Sequence, residues 1–313
     1  MGLALLLLLS GFAILIYGAD LLVKGSSSIA KKFNISNIAI GLTVVAFGTS
    51  TPELIVSFLS AFNGKSDASF GNVIGSNNFN LFFILGLAGL IYPLVVLRNT
   101  IKYEVPISLV AAILLYFLVQ DEMLSRLDAV ILLIGFAGFM FYIIRTMNVS
   151  IDDENTIKVY STSVSVGLTS LGLAMLVGGG TLVVDNAVAI AEHYGLSEKL
   201  IGLTILAAGT SLPELATSCV AAYRKNTDIA IGNVVGSNIF NILFILGLTG
   251  TITPIKFNLA LNFDLYVLSA GTIVLMIFMF TINQRKLDRW ESFLLLLGYV
   301  VYTVYLIFND SGA

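Results

Sequence analysis

Stretches of about 20 apolar residues follow one another along this chain with almost no charge inside them, each long enough for one helical crossing of a bilayer. That feature constrains the fold more than any other. Within lipid every backbone N–H and C=O must be satisfied internally, and only helices and closed barrels achieve this. The runs are continuous rather than alternating with period two, which selects helices over a barrel. Ten spans are predicted, near 3–22, 38–62, 69–91, 103–119, 127–147, 164–190, 199–222, 229–251, 264–282 and 290–308. Only 11% of the 313 residues are charged and 57% are hydrophobic. Soluble chains carry about 25% charged residues, so no stretch is left for a soluble domain. The first run lacks a positive n-region and has an internal counterpart near residue 170, so it is taken as a span rather than a signal peptide.

The chain also repeats itself. Residues 40–57, IGLTVVAFGTSTPELIVS, match 201–218, IGLTILAAGTSLPELATS, at 12 of 18 positions. Residues 71–87, GNVIGSNNFNLFFILGL, match 232–248, GNVVGSNIFNILFILGL, at 13 of 17. The offset of 161 holds without a gap from Gly18/Gly179 to Pro93/Pro254. Five spans per repeat is an odd number, so the second repeat must enter the membrane from the opposite face. The expected fold is therefore an all-α integral membrane protein of ten transmembrane helices, built as two inverted five-helix repeats with broken helices at a central site. Residues 1–147 form the first repeat, 148–163 a short acidic linker and 164–313 the second repeat. Such repeats are typical of secondary transporters, whose substrate site lies near the midplane where they meet.

Loop charges set the orientation. Loops after odd-numbered spans hold Lys24, Lys31, Lys32, Arg98, Lys102, Arg145, Lys158, Arg224, Lys225, Arg285, Lys286 and Arg289. The opposite face holds only Lys65, Arg126, Lys199 and Lys256. Positive charge favours the cytoplasm, which puts both termini outside and the linker around Asp152, Asp153 and Glu154 in the cytoplasm of a cell-membrane protein.

Two acidic residues fall deep inside spans, and they are twins: Glu53 and Glu214. A charge at a helix centre costs about 2.5–3.5 kcal/mol on insertion scales, so such residues mark function. Ala46, Thr49, Ser50 and Glu53 stand at i, i+3, i+4 and i+7, one helical stripe, and Ala207, Thr210, Ser211 and Glu214 repeat it. Pro52 and Pro213 offer no N–H to the carbonyls of Gly48 and Gly209, so each helix should break there. The freed carbonyls must face protein or a watery cavity. Carboxylates, hydroxyls and carbonyls together form the all-oxygen shell that hard cations prefer. Asn72, Ser76 and Asn80, with twins Asn233, Ser237 and Asn241, make a facing polar stripe able to bind an ion, a neighbouring helix, or both. Gly71, Gly75 and Gly86 would let helices approach closely.

Blander roles compete. Ser50 and Glu53 have capping-box spacing, so Glu53 could serve only its own half-helix. Asp20 and Asp185 lie near span ends and are expected at the interface. His193, the sole histidine, is expected on the surface, and Cys219, the sole cysteine, permits no internal disulfide. No nucleotide loop, zinc site or nucleic-acid patch is present, and the chain is read as a transporter rather than an enzyme.

The paired GTS-x-PE and GSN-x-FN segments resemble the alpha repeats of the cation/calcium exchanger superfamily, in particular its prokaryotic sodium/calcium exchangers. The resemblance covers the whole chain. It implies sodium/calcium antiport, no cofactor, and calcium and sodium as the transported partners of a monomeric unit in a lipid bilayer. It implies ligands at Ala46, Thr49, Ser50, Glu53, Ser76 and Asn80, and at Ala207, Thr210, Ser211, Glu214, Ser237 and Asn241. The two alanines would act through backbone carbonyls, with calcium between the glutamates and sodium at flanking sites. Several relatives, including potassium-dependent ones, carry Asp where this chain has Asn241, which weakens a potassium-dependent reading. Proton/calcium exchange is the alternative within the same fold. A passive channel would usually need a selectivity ring from symmetric subunits, and a carboxylate-pair protease would use aspartates.

The orientation can be tested directly. Single cysteines at Lys65 and at Lys225, in a Cys219→Ala background, should react with an impermeant reagent from opposite sides of intact cells. Labelling from the same side would overturn the inverted arrangement.

Overall fold

A computed structural model describes residues 2–146, 159–193, 207–280 and 285–310. The acidic linker with Asp152, Asp153, Glu154 and Lys158, the loop residue Lys199, and positions 201–206 of the repeated first motif lie outside the described residues. The chain is helical almost throughout. We label α1 Gly2–Phe33, α2 Asn37–Thr49, α3 Thr51–Phe62, α4 Ser66–Ile91, α5 Thr100–Leu118 and α6 Arg126–Thr146. The second half holds α7 Thr162–His193, α8 Ala207–Gly209, α9 Leu212–Tyr223, α10 Thr227–Ile252, α11 Leu259–Phe278 and α12 Arg289–Asp310. Eight of the described helices are long and apolar enough to cross a membrane, and the bent pair α2–α3 makes a ninth. The run predicted at 199–222 is described only from Ala207 onward.

Hydropathy placed the end of the first span at residue 22, yet α1 continues to Phe33. A span ends on hydropathy where charge begins, but a helix needs only backbone bonds and somewhere to pack. Asp20 and Lys24, four residues apart, pair at 2.6 Å, and Ser26, Ser27 and Ser28 are buried. Lys24, Lys31 and Lys32 thus stand on the last turns of α1 rather than in a loop.

α1 and α7 lie antiparallel along most of their length. Glycines make this possible. A methyl group at Gly11 would lie 3.1 Å from the Gly179 carbonyl oxygen, at Gly18 3.0 Å from that of Gly172, and at Gly25 2.7 Å from the Thr169 nitrogen. Between helices in lipid, where no hydrophobic drive remains, such close backbone approach is the main source of attraction.

The halves are interlocked. The hairpin α5–α6 packs on α10, while α11 and α12 pack on α4. Two short antiparallel ladders fasten these hairpins: β1 Leu94–Val95 pairs with β4 Lys286–Leu287, and β2 Met123–Leu124 pairs with β3 Ile255–Lys256. α10 is buried along nearly its whole length, whereas α1, α6, α7 and α12 turn rows of large apolar side chains outward. α2 crosses α10 at Gly232 and Gly236: methyl groups there would lie 2.9 Å from the Ile38 carbonyl oxygen and 2.7 Å from Leu42 Cα. Gly86 meets α12 as closely, 2.8 Å from the Ser292 carbonyl oxygen. Among the described residues nothing approaches Gly71 or Gly75 within 4 Å, and 201–206, the twin of the segment packed on Gly232 and Gly236, is not described.

A test follows from the α2–α10 crossing. Gly236→Ala puts a methyl against backbone that cannot rotate away, so it should destabilise the protein by about 1–3 kcal/mol. Gly138→Ala, on an exposed face of α6 with nothing within 4 Å, should not. Thermal unfolding in detergent measures both; equal midpoints would contradict the close crossing.

Candidate cation-binding site

The site begins with two helix breaks. Ser50 leaves helical geometry (φ −81°, ψ 10°) between α2 and α3, which meet at 48°. Ser211 does the same (φ −89°, ψ 9°) between α8 and α9. Pro52 and Pro213 follow in the opening turns of α3 and α9, where a missing N–H is tolerated, while depriving Gly48 and Gly209 of their helical donors. Glu53 and Glu214 therefore sit in first turns, where the helix dipole favours negative charge. Both are fully buried.

Each carboxylate is met from the other half of the chain. Ser50 Oγ lies 2.8 Å from Glu214 Oε1, and Ser211 Oγ lies 2.9 Å from Glu53 Oε1. Ser50 is also 2.9 Å from Ser237 Oγ. From within its own half, Ser76 Oγ stands 3.5 Å from Glu53 Oε1, and Ser237 Oγ 3.4 Å from Glu214 Oε1. Ser50 makes no side-chain cap on its own helix, so the capping-box role does not hold: its hydroxyl is spent across the interface.

A surrounding layer fixes these groups. Asn72 Nδ2 donates to the Glu53 carbonyl at 3.2 Å and to Ser57 Oγ at 2.9 Å; Asn233 Nδ2 donates to the Glu214 carbonyl at 3.2 Å and to Ser218 Oγ at 2.9 Å. Their side-chain oxygens accept from the opposite half, Thr210 to Asn72 at 3.2 Å and Thr49 to Asn233 at 3.0 Å. Asn77 and Asn238 exchange amide bonds to each other's backbone carbonyls, at 3.1 and 3.2 Å. Asn80 donates to Asn238 Oδ1 at 3.1 Å and Asn241 to Asn77 Oδ1 at 3.0 Å. Wider π-helical turns, Phe79–Ile84 and Phe240–Leu246, begin two residues after Asn77 and Asn238 and contain Asn80 and Asn241, a deformation frequent at functional sites.

Of the buried side-chain oxygens without a hydrogen-bond partner among the described residues, four belong to predicted ligands: Glu53 Oε2, Glu214 Oε2, Asn80 Oδ1 and Asn241 Oδ1. They form two twin pairs. An orphaned buried acceptor is costly, and four in one region require a positive partner. The Ala46 carbonyl already accepts the Ser50 N–H at 3.0 Å, and Ala207 opens α8 at the matching place. All the predicted side-chain ligands thus converge on the junction of α2–α3, α4, α9 and α10. A cavity of about 460 Å³ reaches this cluster from one flank, lined by Pro52, Asn72, Thr181, Asp185, Thr210 and Pro213 among others. Asp20, expected at the interface, pairs with Lys24 and with Arg224 at the end of α9; His193 is exposed at the end of α7.

Sequence reasoning passed over two sets of residues. Asn77 and Asn238 are the last letters of the twin GSN triplets, so the repeat itself carried the signal. Glu104 and Asp264 form a second pair of twin acids, each accepting from a tyrosine: Tyr142 to Glu104 and Tyr302 to Asp264, both at 2.6 Å. Their offset is 160, one short of the motif offset, because the gapless match ends at Pro93/Pro254.

Comparison with known proteins identifies the family. The family described as sodium/calcium exchanger protein matches residues 3–145 and 164–308. The putative antiporter CaxA of Alkalimonas amylolytica is 38% identical, over 98% of this chain and 99% of its own. The sodium/calcium exchanger MaX1 of Methanosarcina acetivorans is 32% identical, over 97% and 98%. The structure of the sodium-calcium exchanger NCX_Mj soaked with 2.5 mM Na+ and 0.1 mM Ca2+ superposes with a TM-score of 0.84 at 34% identity, covering 96% of this chain and 97% of that one. Sequence and fold agree across both halves: this multi-pass membrane protein belongs to the sodium/calcium exchanger family.

Proposed function

We propose that the chain is a secondary antiporter exchanging sodium for calcium by alternating access, with calcium held between Glu53 and Glu214. The observation that carries this reading is the set of four unpartnered buried oxygens on Glu53, Glu214, Asn80 and Asn241. Calcium takes about 6–8 oxygen ligands in flexible geometry, and two carboxylates supply a charge of −2 that matches it. The Ser50, Ser211, Ser76 and Ser237 hydroxyls and the carbonyls of Ala46 and Ala207 extend the oxygen shell. Sodium would use flanking sites among Thr49, Thr210 and these groups. Because the two ions draw on shared oxygens, each lowers the occupancy of the other, which is the coupling an exchanger needs. Replacing Asp by Asn241 leaves calcium neutralised by the glutamate pair alone.

Two inverted repeats, 1–147 and 164–313 joined by 148–163, fit the crossed hydrogen bonds and the exchange of strand partners between halves. Ten spans, termini outside and a cytoplasmic linker complete this topology in the cell membrane. The Asp20–Arg224 pair draws α1 against α9, whereas the cavity beside α7 stays open to Asn72 and Thr210. One open flank and one closed flank suit alternating access. Proton/calcium exchange is the second reading, since each free Oε2 can take a proton as readily as share a metal.

Glu53→Gln and Glu214→Gln keep side-chain size but remove one charge. Each should lower sodium-driven calcium uptake into proteoliposomes on the order of a hundredfold, because ligand charge sets calcium affinity. The two losses should be similar, and thermal midpoints should stay near wild type. Near-native uptake by both variants would refute the site.

A further inference from the structure

We propose that the cleft bounded by Arg98, Lys102 and Arg285 binds a phosphate-bearing anion, the phosphodiester headgroup of an anionic membrane lipid. This cleft of about 510 Å³ shares no lining residue with the glutamate site and is completed by Ile101 and Phe280. Arg98 stands in the turn leading into α5, where the first backbone N–H groups have no helical acceptor, and Lys102 lies one turn on. Arg285 comes from the far end of the chain, brought there by the β1–β4 ladder. Its backbone is fastened on both sides: the Val96 N–H donates to its carbonyl at 2.8 Å, and its own N–H donates to the Met279 carbonyl at 2.9 Å. It is held at φ 65°, a left-handed conformation uncommon for a non-glycine residue and associated with ligand sites.

Three cations meet at this cleft, and Lys102 lies over the Tyr103 ring, 5.1 Å from its centroid. Among the described residues no carboxylate lines the cleft, and none of the three side chains has an ion-pair partner. Among the described residues three other cations do have carboxylate partners: Lys24 and Arg224 share Asp20, and Lys286 pairs with Asp288. An overall positive-inside bias accounts for cations on one face but not for their meeting at one concavity. The corresponding turn of the second half, 258–263, carries no cation at all. A smaller neighbouring cleft of about 240 Å³ shares Arg98 and Arg285 but adds the Glu104 carboxylate, so an anion is better placed beside Lys102. Phe280, largely exposed, gives the cleft an apolar rim beside the buried Ile101, which suits a lipid's glycerol and acyl region better than a free phosphate. Basic pockets between transmembrane helices bind headgroups in this way.

Native mass spectrometry of the detergent-purified full chain tests the proposal, titrating phosphatidylglycerol and phosphatidylcholine separately. Wild type should bind phosphatidylglycerol roughly tenfold more tightly than phosphatidylcholine. The Arg98→Gln/Lys102→Gln/Arg285→Gln variant should lose that preference, and Arg145→Gln, whose cation lies over the Phe141 ring at 5.1 Å and outside the cleft, should keep it. If the triple variant does not fold, Lys102→Gln alone should show an intermediate loss. Equal affinity for the two lipids in wild type, or an unchanged preference in the cleft variants, would overturn the proposal. Displacement of phosphatidylglycerol by millimolar inorganic phosphate alone would overturn the lipid as the source of the anion.

Discussion

A carboxylate inside a bilayer has to be compensated, and neither central glutamate is compensated by its own half alone. The shortest hydrogen bond to Glu53 comes from Ser211 and the shortest to Glu214 from Ser50. Much of the architecture serves this crossed pairing. The prolines break α2–α3 and α8–α9 so that helix N-termini, with their favourable dipoles, lie at the junction. Asn72 and Asn233 hold the glutamate backbones, and Asn77 and Asn238 bind the two halves together behind them. Losing one serine would therefore remove the shortest hydrogen bond to the carboxylate of the opposite half, and a buried carboxylate that loses a donor is costly.

The polar junction is stable only if helices come close enough to exclude lipid and water from it. Gly232 and Gly236 let α10 meet α2 at backbone contact, and Gly11, Gly18, Gly25, Gly172 and Gly179 do the same between α1 and α7. The hairpins then close the exterior by exchange, α5–α6 against α10 and α11–α12 against α4. Polar groups thus concentrate at the centre, while the outer helices present large apolar side chains to the bilayer.

Much of this was legible in the sequence, for identifiable reasons. Glu53 and Glu214 stood out because charge in an apolar run is expensive, and the resemblance of their twin motifs to the exchanger alpha repeats implied the remaining candidate ligands. The helix breaks followed from Pro52 and Pro213. The partner of each serine was not legible: Ser50 looked equally ready to cap its own helix, and only the crossing of helices decides which carboxylate it meets. Asn77 and Asn238 fall off the helical stripe of 72, 76 and 80 and its twin, so periodicity passed over them although the repeated GSN triplet carried them. Glu104 and Asp264 sit near span ends, where acidic residues usually face water, yet Tyr142 and Tyr302 reach them inside the fold. The length of α1 was underestimated because its final turns are polar and find their partners in α7.

The central claim is that calcium and sodium compete for one glutamate-centred shell and move in exchange. Its most direct test is radiolabelled calcium uptake by the wild-type protein in sealed proteoliposomes, with sodium, potassium and proton gradients imposed one at a time and the membrane potential clamped. The account predicts concentrative uptake driven by an outward sodium gradient, indifferent to potassium, and reduced to dissipation of the calcium gradient when sodium is equal on both sides. Uptake that follows the proton gradient and ignores sodium would contradict it.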